Sequence, residues 1–290
     1  MVIAETKTEL LKPPLKWAGG KRWLVPTLEK HWQLFLKQHK TARQKEKARL
    51  VEPFCGGLSI ALGLNPERAL LNDVNPHVIA FYQNLQQGLI LNPDKTLLLN
   101  DSETYYRNRE KFNSLITPHP NPPPQGGREQ VQTLTQEASA LFYYLNRTGY
   151  NGLCRFNQKG LFNVPFGRYK TINYQLDFTS YQEVLMPWQF TCRDFEQLQT
   201  TEHDFIYVDP PYDVPFVSYA QNGFNWEDQV RLVKWLTEQP GKIIVSNQAT
   251  DRIINLYKDH GFKVDVIDAP RRIACNGNRE KAKEILARLY

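Results

Sequence analysis

Phe205-Ile206-Tyr207-Val208 is an apolar run stopped abruptly by Asp209-Pro210-Pro211-Tyr212. A strand made of it has no face to offer water, so it must lie inside a sheet covered on both sides, as in the parallel sheets of α/β proteins. Prolines cannot donate to a strand ladder, so the strand ends there. Upstream, Ala48-Arg49-Leu50-Val51-Glu52 reads as a strand that breaks at Pro53 and enters the turn Phe54-Cys55-Gly56-Gly57 before the apolar stretch Leu58 to Leu64. Strand, glycine turn and helix open a nucleotide-type α/β unit. Ala69-Leu70-Leu71 is a second short strand, ending at Asn72-Asp73. Trp226 to Gln239 places Val230, Val233 and Leu236 on one helical face, and Lys242 to Ser246 and Phe262 to Val266 read as two more strands. This alternation predicts a doubly wound α/β sheet, interrupted in its middle.

The interruption runs over about residues 76–175, helical at first and then rich in Asn, Arg, Gly and aromatics. It divides the chain into a first catalytic part at 1–75, an inserted domain at 76–175 and a second catalytic part at 176–290. A chain of 290 residues is long enough for two domains at about 150 residues each. Within the insert, residues 117–128 hold five prolines and two glycines, which excludes a helix and predicts an extended surface loop without a chemical role. No apolar run reaches the roughly 18 residues a membrane helix needs. The polar N-terminus lacks the apolar core of an export signal, so the expected location is the cytoplasm.

Charge is unevenly spread. Residues 12–49 carry 11 basic and 2 acidic side chains, residues 147–170 carry 5 and none, and residues 271–290 carry 6 and 2. These 82 residues sum to +18 in a chain whose net charge is +6, so the remainder is acidic. The expected arrangement is one basic face, formed by all three segments, that meets a polyanion. Cys55, Cys154, Cys192 and Cys275 form no C-x-x-C pair and the histidines show no ligand spacing, so neither a disulfide framework nor a metal is expected.

Asp209-Pro210-Pro211-Tyr212 ends a central strand, where ligands sit in such sheets. Its carboxylate and the carbonyl of a proline-locked backbone both accept hydrogen bonds, and Tyr212 offers a flat face. Two fixed acceptors suit an exocyclic amino group: they hold its N–H groups and offset the positive charge that grows as nitrogen attacks a methyl group. Tyr212 would stack on a base swung out of its duplex.

Several motifs stand in a fixed order around this one: Leu15-Lys16-Trp17-Ala18-Gly19-Gly20-Lys21, Val51-Glu52-Pro53-Phe54 with Gly56-Gly57, Asn72-Asp73-Val74-Asn75, and Tyr144-Leu145-Asn146-Arg147 through Gly149-Tyr150-Asn151-Gly152-Leu153-Cys154-Arg155 to Phe162-Asn163-Val164-Pro165-Phe166-Gly167-Arg168-Tyr169. Arg271-Arg272 and Asn276-Gly277 close the series. With these the chain resembles the Dam-type DNA adenine-N6 methyltransferases of the D12 class, in the alpha motif order, over nearly everything from residue 14 to the end except about 117–136. The resemblance implies a Rossmann-like sheet that binds S-adenosylmethionine (AdoMet), an inserted, mainly helical target-recognition domain, and base flipping. It implies that Asp209, Pro210 and Tyr212 are catalytic, and that Trp17, Lys21, Glu52, Phe54, Asp73 and Asp209 line the AdoMet site. Trp17 can cover a sulfonium or adenine, Lys21 can pair with a carboxylate, and Asp73 can bind ribose hydroxyls.

For DNA, the resemblance implies that Lys16, Leu153 and Arg155 contact bases, that Tyr150 and Asn151 support the site of the flipped adenine, and that Arg168 and Tyr169 bind the backbone, with GATC as the site. From the residues alone, Arg147, Arg155, Lys159, Arg168 and Lys170 alternate with Tyr150, Phe156, Phe162, Phe166 and Tyr169 without an acid, which fits phosphate contacts plus stacking on exposed bases. The implied partner is double-stranded DNA, with no membrane and no obligate protein partner; a companion restriction endonuclease is compatible with it. A methyltransferase acting on adenine in RNA is the alternative. A DNA-binding module that has lost catalysis fits poorly with intact Asp209 and Tyr212. Cytosine-5 chemistry is excluded, because it needs a cysteine nucleophile, usually after proline, and no cysteine here follows one. A phosphate-loop reading of Gly19-Gly20-Lys21 fails because Leu15 and Arg22 stand where that motif needs Gly and Ser or Thr. One departure from the family is Leu58, where a glycine is usual; an unstrained leucine there requires negative φ and a slightly different turn.

Overall fold

A computed structural model describes residues 10–91, 98–116, 135–213, 224–270 and 282–290. The proline-rich segment, the pairs Arg271-Arg272 and Asn276-Gly277, and Cys275 lie outside the described residues. Seven strands form one sheet: β1 (Arg49–Glu52), β2 (Ala69–Asn72), β3 (Gln189–Thr191), β4 (Asp204–Val208), β5 (Lys242–Gln248), β6 (Lys263–Ala269) and β7 (Ala282–Leu289). Their order is β3-β2-β1-β4-β5-β7-β6. Val51 of β1 stands between Leu70 of β2 and Ile206 of β4, with all three strands parallel. β7 alone runs the other way, antiparallel to both β5 and β6.

Alternation along the central strands fills both sides. Leu50, Phe205 and Tyr207 belong to one buried cluster, while Val51, Ile206 and Val208 belong to another. The first is continuous with residues of α1 (Val25–Gln38), α3 (Ala61–Leu64), α4 (Pro76–Gln86), α5 (Ser102–Ile116), α6 (Gln136–Thr148) and α7 (Thr179–Leu185). The second is closed by α8 (Trp226–Thr237) and α9 (Asp251–Asp259). A four-residue helix, α2 (Ala42–Lys45), precedes β1. The helix starts follow local chemistry: Asn75 caps α4, whose first residue is Pro76, and Asn225 with Asp228 forms a capping box on α8.

The mixed α/β fold expected from the alternation is present, and each expected strand lies within a residue or a few of its observed bounds. In α8, Val233 and Leu236 are buried and Val230 is half-buried. Two strands, β3 and β7, have no counterpart in the sequence pattern, and the apolar stretch from Leu58 yields only one helical turn, Ala61–Leu64. No helix among the described residues is long and apolar enough to cross a membrane. The chain leaves β1 toward β2 on one side and leaves β4 toward β5 on the other, so the carboxyl ends of β1 and β4 flank the point where the winding reverses. Ligands bind in that crevice in open α/β sheets.

Candidate active site

Asp209 follows the last residue of β4 at this reversal. Its Oδ1 accepts from Ser246 Oγ of β5 at 3.0 Å and pairs with Lys21 Nζ at 3.1 Å. An ionised carboxylate only accepts, so Ser246 gives it the hydroxyl proton. The Tyr207 hydroxyl, 2.7 Å from Ser246 Oγ, therefore donates in turn. Burial pushes the Asp209 carboxyl up, while Lys21 and Ser246 draw it down. Lys21 is 3% exposed. Its ammonium also donates to the Gly19 carbonyl at 2.9 Å, lies 3.8 Å from Glu284 and stands 4.9 Å from the centre of the Tyr212 ring. One cation thus holds two carboxylates and an aromatic face together.

The segment after Asp209 is fastened from behind. The carbonyl of Pro211 accepts from Gln229 at 2.8 Å, and Gln229 accepts from Asn247 at 3.1 Å, both amides being fully buried. Neither Pro210 nor Pro211 has an N–H, so this stretch presents acceptors and no main-chain donors. The Tyr212 hydroxyl and the Glu284 carboxylate are both buried, side by side. Burial also pushes both groups up in pKa.

The β1 end supplies the second half of the crevice. Asp73, just past β2, accepts the Gly56 N–H at 3.1 Å and the Asn75 N–H at 2.9 Å, which ties the glycine turn to the neighbouring strand. Burial raises its pKa to about 6, against the pull of those two N–H groups. Trp17 lies so close over the turn that a Cβ on Gly56 would come within 2.5 Å of the indole nitrogen and one on Gly57 within 2.7 Å of the Trp17 Cβ. Only glycine fits at both positions. Phe54 packs edge-on to Phe224 at 5.5 Å and against Phe195 at 5.7 Å. Glu52 is buried, its Oε1 has no partner, and desolvation holds its carboxyl well above the usual range. A buried acid in this setting favours its neutral form.

Leu58 corrects an expectation: its φ is +58°, in the left-handed region that favours glycine, so the leucine is held in a strained backbone and not at negative φ. The side chain is fully buried, and that packing is what holds the leucine there.

The segment expected to read DNA is built around α6 and the irregular chain that follows it. Tyr150 is 48% exposed. Asn151 beside it is exposed and left-handed at φ +52°. Leu153 is half-buried against the core. Arg155 donates from Nε to the Asn163 side chain at 2.8 Å, which fixes one edge of the guanidinium. Arg168 is exposed with φ +52°. Lys16 does not reach outward: its ammonium donates to the Arg147 carbonyl at 2.7 Å and lies 3.6 Å from the centre of the Tyr169 ring. Burial, then the charge of Arg147, lowers its pKa to about 8. The aromatics also depart from the stacking expectation. Phe162 is buried, Phe156 stacks on His77 at 4.5 Å, and Phe166 packs against Tyr105. Of the five, Tyr150 presents its ring to solvent.

The basic segments do not all converge. Lys21 is at the carboxyl end of the sheet, but α1 then carries the chain away over 14 residues, about 21 Å at 1.5 Å per residue. The exposed Lys37, Lys40, Arg43, Lys45 and Lys47 accordingly sit where the chain enters β1, at the opposite end from Asp209. Arg49 there forms a two-bond pair with the buried Asp204, at 2.9 and 2.8 Å.

Five residues of the site escape sequence reasoning: Ser246, Tyr207, Gln229, Asn247 and Glu284. Ser246 and Asn247 lie on a strand that the sequence does show, and a polar pair at the carboxyl end of an otherwise apolar strand is the available signal. Glu284 has none, because its strand leaves no trace in the pattern.

Comparison with known proteins agrees with this geometry. Residues 17–273 match the family described as D12 class N6 adenine-specific DNA methyltransferase. The chain is 35% identical to the DNA adenine methylase of Vibrio cholerae, over 94% of both chains. It is 31% identical to that of Escherichia coli K12, over 94% of this chain and 93% of that protein. It is 30% identical to the type II methyltransferase M.MjaIII of Methanocaldococcus jannaschii, over 93% of this chain and 96% of that one. With a matched family spanning both the β1 turn and the end of β4, this chain belongs to the D12 class of N6 adenine-specific DNA methyltransferases.

Proposed function

We propose that the chain transfers a methyl group from AdoMet to N6 of an adenine swung out of double-stranded DNA, at the site GATC. The observation that carries this reading is Asp209: a carboxylate at the sheet's reversal point, held by Ser246 and Lys21, and followed by a backbone that offers acceptors alone. The adenine amino group has two N–H donors and a lone pair delocalised into its ring. Asp209 takes one N–H and the Pro210 carbonyl the other, which localises the lone pair and leaves a negative charge beside the nitrogen as it becomes positive. Tyr212 covers the flipped ring.

The residues at the β1 end fit AdoMet in kind. Lys21 matches its carboxylate, Asp73 its ribose hydroxyls, and Trp17 with Phe54 its cationic and aromatic parts; the unpartnered Oε1 of Glu52 leaves a polar atom for a ligand. AdoMet, when bound, supplies an electrophilic methyl group on a sulfonium. Lys21 would divide its ammonium between that cofactor and Asp209, so binding and catalysis share one charge.

Residues 76–175 serve as the reading domain, with 1–75 and 176–290 as the catalytic parts. Tyr150 and Asn151 lie nearest the flipped base, Leu153 and Arg155 read base edges, and Arg168 and Tyr169 hold the backbone. Lys16 acts with Tyr169 at the outer base pair. Relatives named DNA adenine methylases support DNA over RNA. In this reading the enzyme works on DNA in the cytoplasm without an obligate partner, and an adjacent endonuclease gene would assign it to a restriction pair. Incubation with AdoMet and unmethylated plasmid, followed by a nuclease that cuts only methylated GATC, tests the reading. Cleavage supports it. Uncut plasmid, with tritiated methyl appearing in RNA instead, overturns it.

A further inference from the structure

We propose that Asn146 is a positioning residue that couples the DNA-reading domain to the cofactor-facing glycine turn through the dipeptide Lys16-Trp17, so that cofactor and DNA bind cooperatively. This inference rests on the functional reading above.

Asn146 is fully buried near the end of α6. Its Oδ1 accepts the Lys16 N–H at 2.7 Å and its Nδ2 donates to the Lys16 carbonyl at 2.9 Å, across 130 residues of sequence. One side chain thus satisfies both main-chain groups of a single residue. The amide can do so in one orientation only, since reversal would set donor against donor and acceptor against acceptor.

The rest of Lys16 is wrapped by the same domain. Its ammonium is taken by the Arg147 carbonyl and the Tyr169 ring. On another side, a Cβ on Gly152, whose φ is +62°, would come within 2.4 Å of the Lys16 Cβ, so the Gly152 backbone lies against the Lys16 side chain with no room for another between them. These groups around Lys16 all lie between residues 146 and 169.

Its neighbour Trp17 belongs to the other half, pressed on Gly56 and Gly57 at distances that leave no slack. Adjacent Cα atoms are about 3.8 Å apart across one rigid peptide. A shift of α6 or of the Tyr150–Tyr169 chain on DNA must move Lys16, and with it the indole that roofs the cofactor turn. Close-packed contacts transmit such a displacement rather than absorb it. Asn146 touches neither ligand in this arrangement; it fixes the distance between their two sites.

The test is the affinity of the full-length protein for sinefungin, an unreactive AdoMet analogue, measured calorimetrically with and without a saturating duplex containing GATC. Cooperative binding between sites typically amounts to about 5–150-fold, and the native protein should show at least about fivefold tightening on that scale. In Asn146→Ala the factor should fall to within about twofold of unity on the same scale, with both ligands still bound. Asn146→Asp keeps the acceptor for the Lys16 N–H but faces the Lys16 carbonyl with a second acceptor, so it should also lose most of the factor; it decides the matter if the alanine variant does not fold. Equal sinefungin affinity with and without duplex in the native protein overturns the proposal, as does either variant retaining the full factor. A native protein that binds no sinefungin at all overturns the functional reading instead.

Discussion

Leu58 sets two opposing energies against each other. Its left-handed backbone, at φ +58°, costs about 1–2 kcal/mol for a residue with a Cβ. Its fully buried side chain repays that, because truncating a core leucine to alanine costs about 2–5 kcal/mol. Leu58→Gly restores the glycine usual in the family and removes the strain. It also loses the packing, one further buried methyl at about 0.8 kcal/mol, and about 0.5–1 kcal/mol of backbone entropy. Packing wins, and the variant should be less stable than the native protein by about 1–6 kcal/mol.

Leu58→Ala separates the two contributions, since it loses the packing and keeps the strain. At an ordinary core position glycine trails alanine by the same backbone and methyl losses, about 1.3–1.8 kcal/mol together. Here relief of strain should close that gap to within about 1 kcal/mol. Urea unfolding of the three proteins, with slopes compared to confirm a common transition, measures both differences. A glycine variant as stable as the native protein would refute the claim that packing holds the leucine in place. An alanine variant ahead of glycine by about 2 kcal/mol would refute the left-handed backbone itself.

Asp209→Ala should abolish methyl transfer while leaving specific duplex binding measurable by gel shift, because the proposed role sets the carboxylate against the amine and not against phosphates; an equal loss of DNA binding would contradict the role. In the proposed site Asp73 accepts from ribose hydroxyls best as a carboxylate, since protonation removes acceptor positions, and with a pKa of about 6 its proton competes with the cofactor below that value. AdoMet affinity should therefore be constant above about pH 7 and fall about tenfold per pH unit below about 5, a decline that Asp73→Asn, already weak, should lack. Arg155→Ala should relax discrimination at one base pair by about 1–3 kcal/mol in competition between altered duplexes; an unchanged preference would remove it from base reading. Reversing Lys40, Lys45 and Lys47 to Glu should leave the salt dependence of DNA binding unaltered, whereas neutralising Arg168 and Lys170 should reduce its slope by about 0.9 for each phosphate left without its cation.

The strands that carry the site are legible because they are buried on both faces and end in residues that cannot continue a strand. Phe205 to Val208 has that character, and so does the break from Val51 into Pro53. β7 is hidden for the opposite reason. Ala282-Lys283-Glu284-Ile285-Leu286-Ala287-Arg288-Leu289 is made of strong helix formers, and only its place between β5 and β6 makes it a strand. With β7 goes Glu284, the second carboxylate on Lys21. β3 is three residues long, too short for any period to show. Asn146 is visible within a motif, but it acts by touching residue 16, and no local pattern encodes a partner 130 residues away.

The same limit explains the charges. In sequence, Lys16, Lys21 and Lys45 belong to one basic stretch, and their excess reads as a single surface. In space, the helix between them carries the chain along the strands, so a segment that begins beside Asp209 ends at the opposite end of the sheet, where β1 starts. Among the described residues, two of the basic side chains near the crevice are engaged: Lys21 on two carboxylates, Lys16 on a carbonyl and a ring. Among the described residues, the chain after α6 exposes Lys159, Arg168 and Lys170, which carry the positive charge that the proposed reading assigns to phosphates. The engaged lysines answer to a different demand, which is to hold two carboxylates and two halves of the molecule in register.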